Sequence, residues 1–480
     1  MPASVSPRLV PLLTLLLATL LLLSAGLYNG FPLVTSDSGS YINSAIHFEV
    51  PNDRPIVYGL FIRATGLKFS LWLVVLAQAL LLAWVLLRCV AEFAPRVRHR
   101  SGRLVLVGLT LWATGASYYC CQLMPDIFSA IGLLALALLL LGPVRPVGER
   151  VGLLATAALA TLMHNSNLLA FTLVVLGFGL VAWWQGLFRR QLASRRQWGL
   201  TTATVLACWV LLPAIHAAFG GGFVLSRATP VFLVGRLVEA GIVDKYLDRN
   251  CDTAQPLKLC AFRDKLPNDA ITFLWDEKSP YYQTGGLEDN LDEYRTIVGH
   301  ILTTPRYYPY LIQEGLRSTL RQLTHLGHGD GLVPFRENTN PYWKVQEFAS
   351  YELKAYMSSL QNRGSLHFED LNARFYGAVL LSLLVAAGLI GGARRSAVAA
   401  ARYTPLLLLL LVLGLGLVAN AFVTGALANV LDRLQGRVAW LLPFAALLVV
   451  AEHGPDGVRR AWQLWCRPAA TPAPGEQSVI

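Results

Sequence analysis

Residues 69–87, FSLWLVVLAQALLLAWVLL, contain no charged side chain. An α-helix rises about 1.5 Å per residue, so a helix of this length crosses a hydrocarbon layer of roughly 30 Å. Inside such a layer every backbone polar group needs a partner within the protein, and a helix provides those partners within the segment. The stretch therefore predicts a membrane-spanning helix.

Similar apolar runs recur along the chain and predict about ten spanning helices. The first, residues 9–27, has too long an apolar core for a signal peptide, and LSAGLYNG is a poor cleavage site, so we expect a retained anchor. Residues 104–142 could instead form a re-entrant pair, and residues 151–164 are short for a span. The remaining candidate spans are 104–119, 126–142, 151–164, 167–187, 199–219, 375–391, 404–424 and 437–451.

The composition supports an all-α polytopic membrane protein. Hydrophobic residues make up 54% of the 480 residues and charged residues only 14%, and the mean hydropathy is +0.48. A soluble domain carries about 25% charged residues. Most of the apolar surface of this chain must therefore face lipid.

The net charge of +11 belongs to the membrane part. Residues 224–374 carry 17 Lys and Arg against 19 Asp and Glu, whereas the rest of the chain carries 23 against 10. Arginine-rich short loops alternate with loops poor in basic residues, so the positive-inside rule predicts that both termini are cytoplasmic. This distribution argues against nucleic acid as a partner. High Leu, Ala and Arg content and the absence of glycosylation-rich loops favour a bacterial inner (plasma) membrane.

Four regions are expected. Residues 1–223 form an N-terminal transmembrane block whose first outer loop is 28–68, and residues 224–374 form a mainly helical extracytoplasmic domain with helical periodicity over 343–360. Transmembrane helices follow at 375–451, and a cytoplasmic tail at 452–480 ends in ATPAPGEQSVI, a sequence typical of disorder.

Cys251 and Cys260 both lie in the predicted extracytoplasmic domain. Their spacing fits a short disulfide-closed loop in an oxidising compartment, with two free thiols as the alternative. The chain has no C-x-x-C or comparable metal-ligand spacing, so we expect no zinc site.

The first outer loop is unusually rich in Asp, Arg, Asn and Tyr: LYNGFPLVTSDSGSYINSAIHFEVPNDRPIVYGLFIRATG, residues 27–66. An apolar helix is followed at once by the Ser/Gly-rich turn SDSGSY, and NDRPIVYGLF leads toward the next helix. Polar residues concentrated in an exposed loop of a rigid scaffold are typical of a functional site.

This loop resembles the GT-C superfamily of polytopic membrane glycosyltransferases, in which D-S-x-x-Y after the first helix precedes a P-x-x-Y entry to the second. The matching residues are Asp37, Ser38 and Tyr41, followed by Pro55 and Tyr58. The resemblance covers this loop, the helix layout and the position of the large outer domain. It implies a GT-C-like fold, a polyprenyl-phosphate sugar donor, an extracytoplasmic acceptor, a catalytic or acceptor-orienting role for Asp37, and substrate contacts for Ser38, Tyr41 and Tyr58.

The residue types fit this chemistry. A carboxylate such as Asp37 can accept the proton of an attacking hydroxyl, although Asp37 could instead only cap a helix starting near Ser38. Arg54 offers a planar fork to a donor phosphate, or it could form a structural pair with the preceding Asp53. Arg433 and Arg437 lie four residues apart at the outer end of the last span, where they could bind donor phosphate or snorkel to the interface.

Two further spots face outward on the predicted topology. Asp126 resembles the second acidic position of many GT-C enzymes, or it could stabilise a helix N-terminus. Only one acid of the usual pair is present there, which argues against a divalent cation at this position. His164 and Asn165 begin a polar cluster between apolar segments, which predicts either acceptor contacts or a tight outer turn.

We therefore expect a glycosyltransferase that moves a sugar from a polyprenyl-phosphate donor to a lipid, glycan or protein acceptor outside the cytoplasm. A multi-helix transporter or flippase of an envelope precursor is the main competing hypothesis, although no internal repeat is visible and the notable charges cluster at the outer face. The helix pattern would also suit a membrane-bound acyltransferase or a non-enzymatic envelope assembly protein.

Overall fold

The computed structural model describes residues 9–143, 145–252 and 257–465, and within these ranges it is all-helical with no strand. A single parallel bridge between Leu33 and Gln122 links two loops. The long apolar helices identify the chain as a membrane protein. Six helical segments of the described residues are long and apolar enough to cross a membrane: Leu71–Phe93, Asn165–Trp184, Arg195–Ala218, Glu369–Ala393, Ala397–Leu427 and Asp432–Gly454.

Four of the ten predicted spans coincide with helices of only 14 to 17 residues, so the count of ten stays a prediction. The predicted span 104–119 is interrupted because Gly115 adopts φ +61°, in the left-handed region that favours glycine. Likewise, the anchor 9–27 is split by a turn at Leu23. The four shorter helices are Leu9–Leu22, Arg100–Thr114, Asp126–Leu141 and Val147–Met163.

The N-terminal block contains eleven described helices, and its first outer loop is itself helical. Serines start two of its long helices: Ser70 accepts a hydrogen bond from the Trp72 backbone N–H, and Ser194 from that of Gln197. The helices are α1 (Leu9–Leu22), α2 (Ser24–Asn29), α3 (Ser38–His47), α4 (Val57–Gly66), α5 (Leu71–Phe93), α6 (Arg100–Thr114), α7 (Ala116–Cys120), α8 (Asp126–Leu141), α9 (Val147–Met163), α10 (Asn165–Trp184) and α11 (Arg195–Ala218).

The segment predicted as the extracytoplasmic domain is built from short helices. Residues 343–360, where the sequence has helical periodicity, do not form one helix, because the helix Asn340–Phe348 ends there and a 3₁₀ turn follows at Ser350–Glu352. The helices are α12 (Thr229–Glu239), α13 (Ile242–Asn250), α14 (Ala270–Trp275), α15 (Pro280–Gln283), α16 (Gly286–Thr303), α17 (Tyr308–Thr324), α18 (Asn340–Phe348), α19 (Leu353–Ser358) and α20 (Leu360–Arg363), with further 3₁₀ turns at Lys258–Lys265 and Pro305–Tyr307.

The C-terminal part returns to long helices. The last predicted span begins with a separate short helix, and the final helix continues to Trp465, so residues 452–465 of the expected tail are helical. The predicted disorder of ATPAPGEQSVI lies outside the described residues. The helices are α21 (Glu369–Ala393), α22 (Ala397–Leu427), α23 (Asp432–Ala439) and α24 (Leu441–Trp465).

Two large hydrophobic cores organise the chain. The larger centres on α8, which is buried over almost its whole length among α5, α9, α10 and α22. The smaller lies between residues 231 and 307, where a disulfide joins Cys251 to Cys260 as expected from the sequence. Residues 340–363 belong to the larger core instead, since α18 packs on α3. Following the predicted orientation, we call the end of the bundle that carries α3, α4 and residues 224–374 the outer end.

Candidate functional site

Asp37 lies at the outer end, immediately before α3. It occupies the N-cap position, but its side chain makes no capping hydrogen bond. One carboxylate oxygen is 3.1 Å from Nη1 of Arg54, and the other accepts a 2.9 Å hydrogen bond from Nη2 of Arg433. The capping role considered from the sequence is therefore absent, and the carboxylate lies between two guanidinium groups.

The two arginines come from distant parts of the chain. Arg54 precedes α4 in the first outer loop, and Arg433 lies in the first turn of α23. The three side chains remain partly exposed, at 23% for Asp37, 14% for Arg54 and 19% for Arg433. We call Asp37, Arg54 and Arg433 the outer triad. This partial exposure leaves the three side chains accessible at the protein surface.

Arg54 is held from two sides. Its Nε donates to both carboxylate oxygens of Asp53 at 3.0 Å, so the structural pair considered from the sequence is present alongside the contact with Asp37. On another side, the guanidinium carbon lies 5.2 Å from the ring centre of Tyr41. Arg54 is thus fixed by a carboxylate and an aromatic ring while one edge of its fork faces Asp37.

The outer triad controls the ionisation of Asp37. Burial by itself would raise the pKa of this carboxyl, but the adjacent Arg54 and Arg433 outweigh that effect and hold the pKa below its ordinary value of 3.8. Asp37 is therefore a carboxylate at neutral pH. With both cations in contact it is also a weak base, because its negative charge is already neutralised.

Arg433 is positioned by the segment 325–332, which sequence reasoning did not assign to the site. The Arg433 backbone N–H lies 3.4 Å from a carboxylate oxygen of Asp330. Gly331 follows with φ +75° and lies beside the Arg433 guanidinium. The sequence GHGDG, residues 327–331, is typical of a polar loop, and a lone acid between two glycines was the signal available for Asp330.

Arg437 has a different environment from the one expected. Its side chain is 0% exposed, and it donates to Asp126 at 2.8 Å and to Ser166 and Asn420 at 2.9 Å each. A guanidinium this enclosed has no open edge for a phosphate, so the geometry argues against the predicted donor-phosphate role. Asp126 is 1% exposed and is the buried partner of Arg437, not an open acidic position. It is also the first residue of α8, as the helix N-terminus alternative expected.

His164 and Asn165 lie between this buried pair and the outer triad. His164 is the only residue between α9 and α10, and its Nδ1 accepts from the Ser166 backbone N–H at 3.2 Å, which leaves the ring proton on Nε2. The Asn165 side chain donates to the backbone oxygen of Asp53 at 3.3 Å. The tight turn considered from the sequence is present, and it contacts the loop that carries Arg54.

Ser38, Tyr41 and Tyr58, which carry the resemblance noted in the sequence, are buried and lie beneath the site. Ser38 accepts a hydrogen bond from the Thr35 backbone N–H, and the Tyr58 hydroxyl donates to Gln78 at 2.6 Å. Tyr41 packs edge-on against Tyr58 and under Arg54. These side chains are at most 2% exposed and pack within the loop, so the expected substrate contacts of Ser38, Tyr41 and Tyr58 stay predictions.

Within the described ranges, no group of three or more His, Cys, Asp or Glu side chains is arranged to hold a metal ion. Comparisons with family models, with curated protein sequences and with solved structures found no match to this chain. The fold and the site define a polytopic helical membrane protein with a partly exposed carboxylate–guanidinium cluster at one end of its bundle.

Proposed function

We propose that this chain is a membrane glycosyltransferase that moves a sugar from a polyprenyl-phosphate donor to an extracytoplasmic lipid, glycan or protein acceptor. The observation that carries the proposal is the outer triad, in which one carboxylate and two cations meet at the outer end of the bundle. Glycosyl transfer from a lipid phosphate requires these two kinds of group, a proton acceptor and a binding site for an anion.

In the proposed reaction, an acceptor hydroxyl or amine attacks the anomeric carbon of the sugar. A carbon–oxygen or carbon–nitrogen bond forms, the carbon–oxygen bond to the phosphate breaks, and the polyprenyl phosphate leaves with the bonding electrons. Asp37 takes the proton released by the acceptor. The reaction is balanced without a redox partner, and the charge that develops on the leaving phosphate needs a cation nearby.

Arg433 and Arg54 are suited to that phosphate. A guanidinium binds phosphate oxygens through two parallel N–H donors, and both side chains are partly exposed. A phosphate that draws Arg433 away from Asp37 removes one of the two cations that weaken this carboxylate as a base. Donor binding would in this way raise the proton affinity of Asp37 when the acceptor needs it.

The buried pair beneath the site would keep the cations in place. Arg437 lies four residues after Arg433 in α23 and fixes this helix to α8 through Asp126 and to α10 through Ser166. His164 presents an N–H group beside the cluster, which gives an acceptor or a donor phosphate a neutral hydrogen-bond donor. We therefore assign Arg437 and Asp126 to positioning, and His164 with Asn165 to substrate contact.

The test uses a deletion strain restored with wild type, with Asp37→Asn or with Glu49→Gln, at matched membrane levels. Both substitutions keep the shape of the side chain and remove the negative charge. Glu49 lies in the same outer loop, is exposed, and bonds only to Asn43 among the described residues, so Glu49→Gln is the matched control. Envelope lipids, glycans and glycoproteins are compared by mass spectrometry.

We expect a defined sugar to disappear on deletion, to return with wild type and Glu49→Gln, and to stay absent with Asp37→Asn. The missing mass identifies the sugar. Full restoration by Asp37→Asn would contradict the proposed base and favour a transporter or an assembly protein. A sugar that all three proteins fail to restore would contradict the assignment of this chain to the transfer step.

A further inference from the structure

Helix α17 has its polar side inside and its apolar side outside. Glu314, Ser318 and Gln322 recur every four residues, and the last two are fully buried. Ile312, Leu316 and Leu320 form a second row, offset from the first by two positions, or about 200° around the helix. These three side chains are 62%, 63% and 65% exposed. A helix that faces water on its outer side has the opposite arrangement.

All three side chains of the inner row, Glu314, Ser318 and Gln322, are hydrogen-bonded within the protein. Arg236 of α12 donates to Glu314 at 2.6 Å and also to Ser318. Gln322 donates to the Leu431 backbone oxygen at 2.8 Å and accepts from the Leu431 backbone N–H at 3.1 Å. The row of Glu314, Ser318 and Gln322 therefore faces the protein, and the stripe of Ile312, Leu316 and Leu320 lies on an exposed side of α17.

The packing of α17 on α22 resembles the packing of helices within a membrane. A Cβ placed on Gly425 would lie 2.7 Å from the Ser318 backbone oxygen and 2.9 Å from the Cβ of Gln322. Glycine is thus required for the two backbones to approach, as at small-residue interfaces between spanning helices. Because α22 is one of the six candidate spans, α17 lies directly alongside a membrane helix at its outer end.

The helix that α17 packs against, α22, has exposed apolar side chains of its own. On α22, Val418 and Phe422 are one helical turn apart and are 52% and 39% exposed. Within α17, Arg317 and Arg321 each follow a leucine of the stripe, are exposed, and have no ion-pair partner among the described residues. Long basic side chains at the border of an apolar face can reach lipid phosphates from the interface.

We propose that α17 lies in the outer-leaflet interface of the membrane, with Ile312, Leu316 and Leu320 in contact with acyl chains and Arg317 and Arg321 at the level of the phosphates. The partner is bilayer lipid, because α17 packs directly on a candidate membrane span that exposes apolar side chains of its own. Since Gln322 is bonded to Leu431, two residues before Arg433, this contact places the outer triad at headgroup depth. The lipid contact does not depend on the reaction that the site performs.

The experiment uses variants of the full chain with one added cysteine that carries a nitroxide spin label, reconstituted in vesicles of phosphatidylethanolamine and phosphatidylglycerol. Labels at Leu316 and Leu320 report on the stripe. Leu384, 70% exposed on the spanning helix α21, is the lipid reference, and Asp292, with 96% side-chain exposure, is the water reference. The unsubstituted chain measures background labelling of the native cysteines.

Collision rates with oxygen, which concentrates in acyl chains, and with a water-soluble nickel complex give one accessibility ratio for each label. We expect the ratios at Leu316 and Leu320 to match that at Leu384 and to exceed that at Asp292 several-fold. Ratios equal to that at Asp292 would place the stripe in water and overturn the proposal. Labels shielded from both reagents would show a protein covering the stripe, such as a second copy of the chain, and would also overturn it.

Discussion

Replacing Arg437 with methionine is expected to destabilise the fold strongly. The side chain is fully buried, and its loss leaves the Asp126 carboxylate 1% exposed without a cation. The second carboxylate oxygen of Asp126 has no hydrogen-bond partner among the described residues, so no other group shares the charge. Breaking a buried ion pair by removing one partner costs about 3–5 kcal/mol.

The matched control is the same substitution one helical turn earlier. Arg433→Met removes an arginine from the same helix, but Asp37 keeps its contact with Arg54 at 3.1 Å, and both members of the lost pair are partly exposed. Such pairs contribute about 0–1 kcal/mol. The two variants should therefore differ in stability by at least about 2 kcal/mol.

The assay measures the fraction of detergent-solubilised protein that stays monodisperse after heating, for wild type and each variant. We expect the midpoint for Arg437→Met to fall well below that for Arg433→Met, and Asp126→Asn combined with Arg437→Met to recover part of the loss because the unpaired charge is gone. Equal midpoints for Arg437→Met and Arg433→Met, or no recovery in the double variant, would refute the reasoning.

Two other predictions follow from the site. A Cβ on Gly436 would lie 2.1 Å from the Tyr119 hydroxyl, so Gly436→Ala should cost about 1–3 kcal/mol in the same heating assay, and Tyr119→Phe should restore part of it. Because Arg54 and Arg433 lower the pKa of Asp37, the carboxylate should stabilise the fold fully above pH 3.8, and this stabilisation should be lost as the pH falls through the lower pKa of the folded state. Arg433→Met should move this acid loss of stability to higher pH, measured as the thermal midpoint against pH. An unchanged pH profile would contradict the assigned cause.

The all-helical membrane class follows from the sequence because a run such as 69–87 leaves one low-energy solution in lipid. The spans are harder to count. Helix α8 is only 16 residues long, yet it is buried at the centre of the bundle, where neighbouring helices and not lipid surround it. Apolar character alone does not distinguish a short central helix from a lipid-facing span, since both exclude polar side chains.

For the site, the sequence could identify residue types but not their environments. Arg433 and Arg437 have the same chemistry and share one helix, and the phosphate role was assigned to both. Their difference comes from α8 and α10, which supply Asp126 and Ser166 to Arg437 alone. The sequence alone does not predict the contact between Arg437 and Asp126, because the two residues are 311 positions apart.

Arg433 and Arg437 have different environments, one partly exposed and one buried, and this difference suits two different roles. A cation that must meet an incoming anion has to remain partly solvated and only loosely neutralised, which is the environment of Arg433. A loosely held cation at the end of a short helix needs that helix fixed by other means. Arg437 provides this through a buried guanidinium that bonds to Asp126, Ser166 and Asn420. If Arg433 were enclosed as Arg437 is, the proposed anion site would be closed to a ligand. The order of these two residues along α23 therefore sets which one faces the outer surface and which one holds the helix.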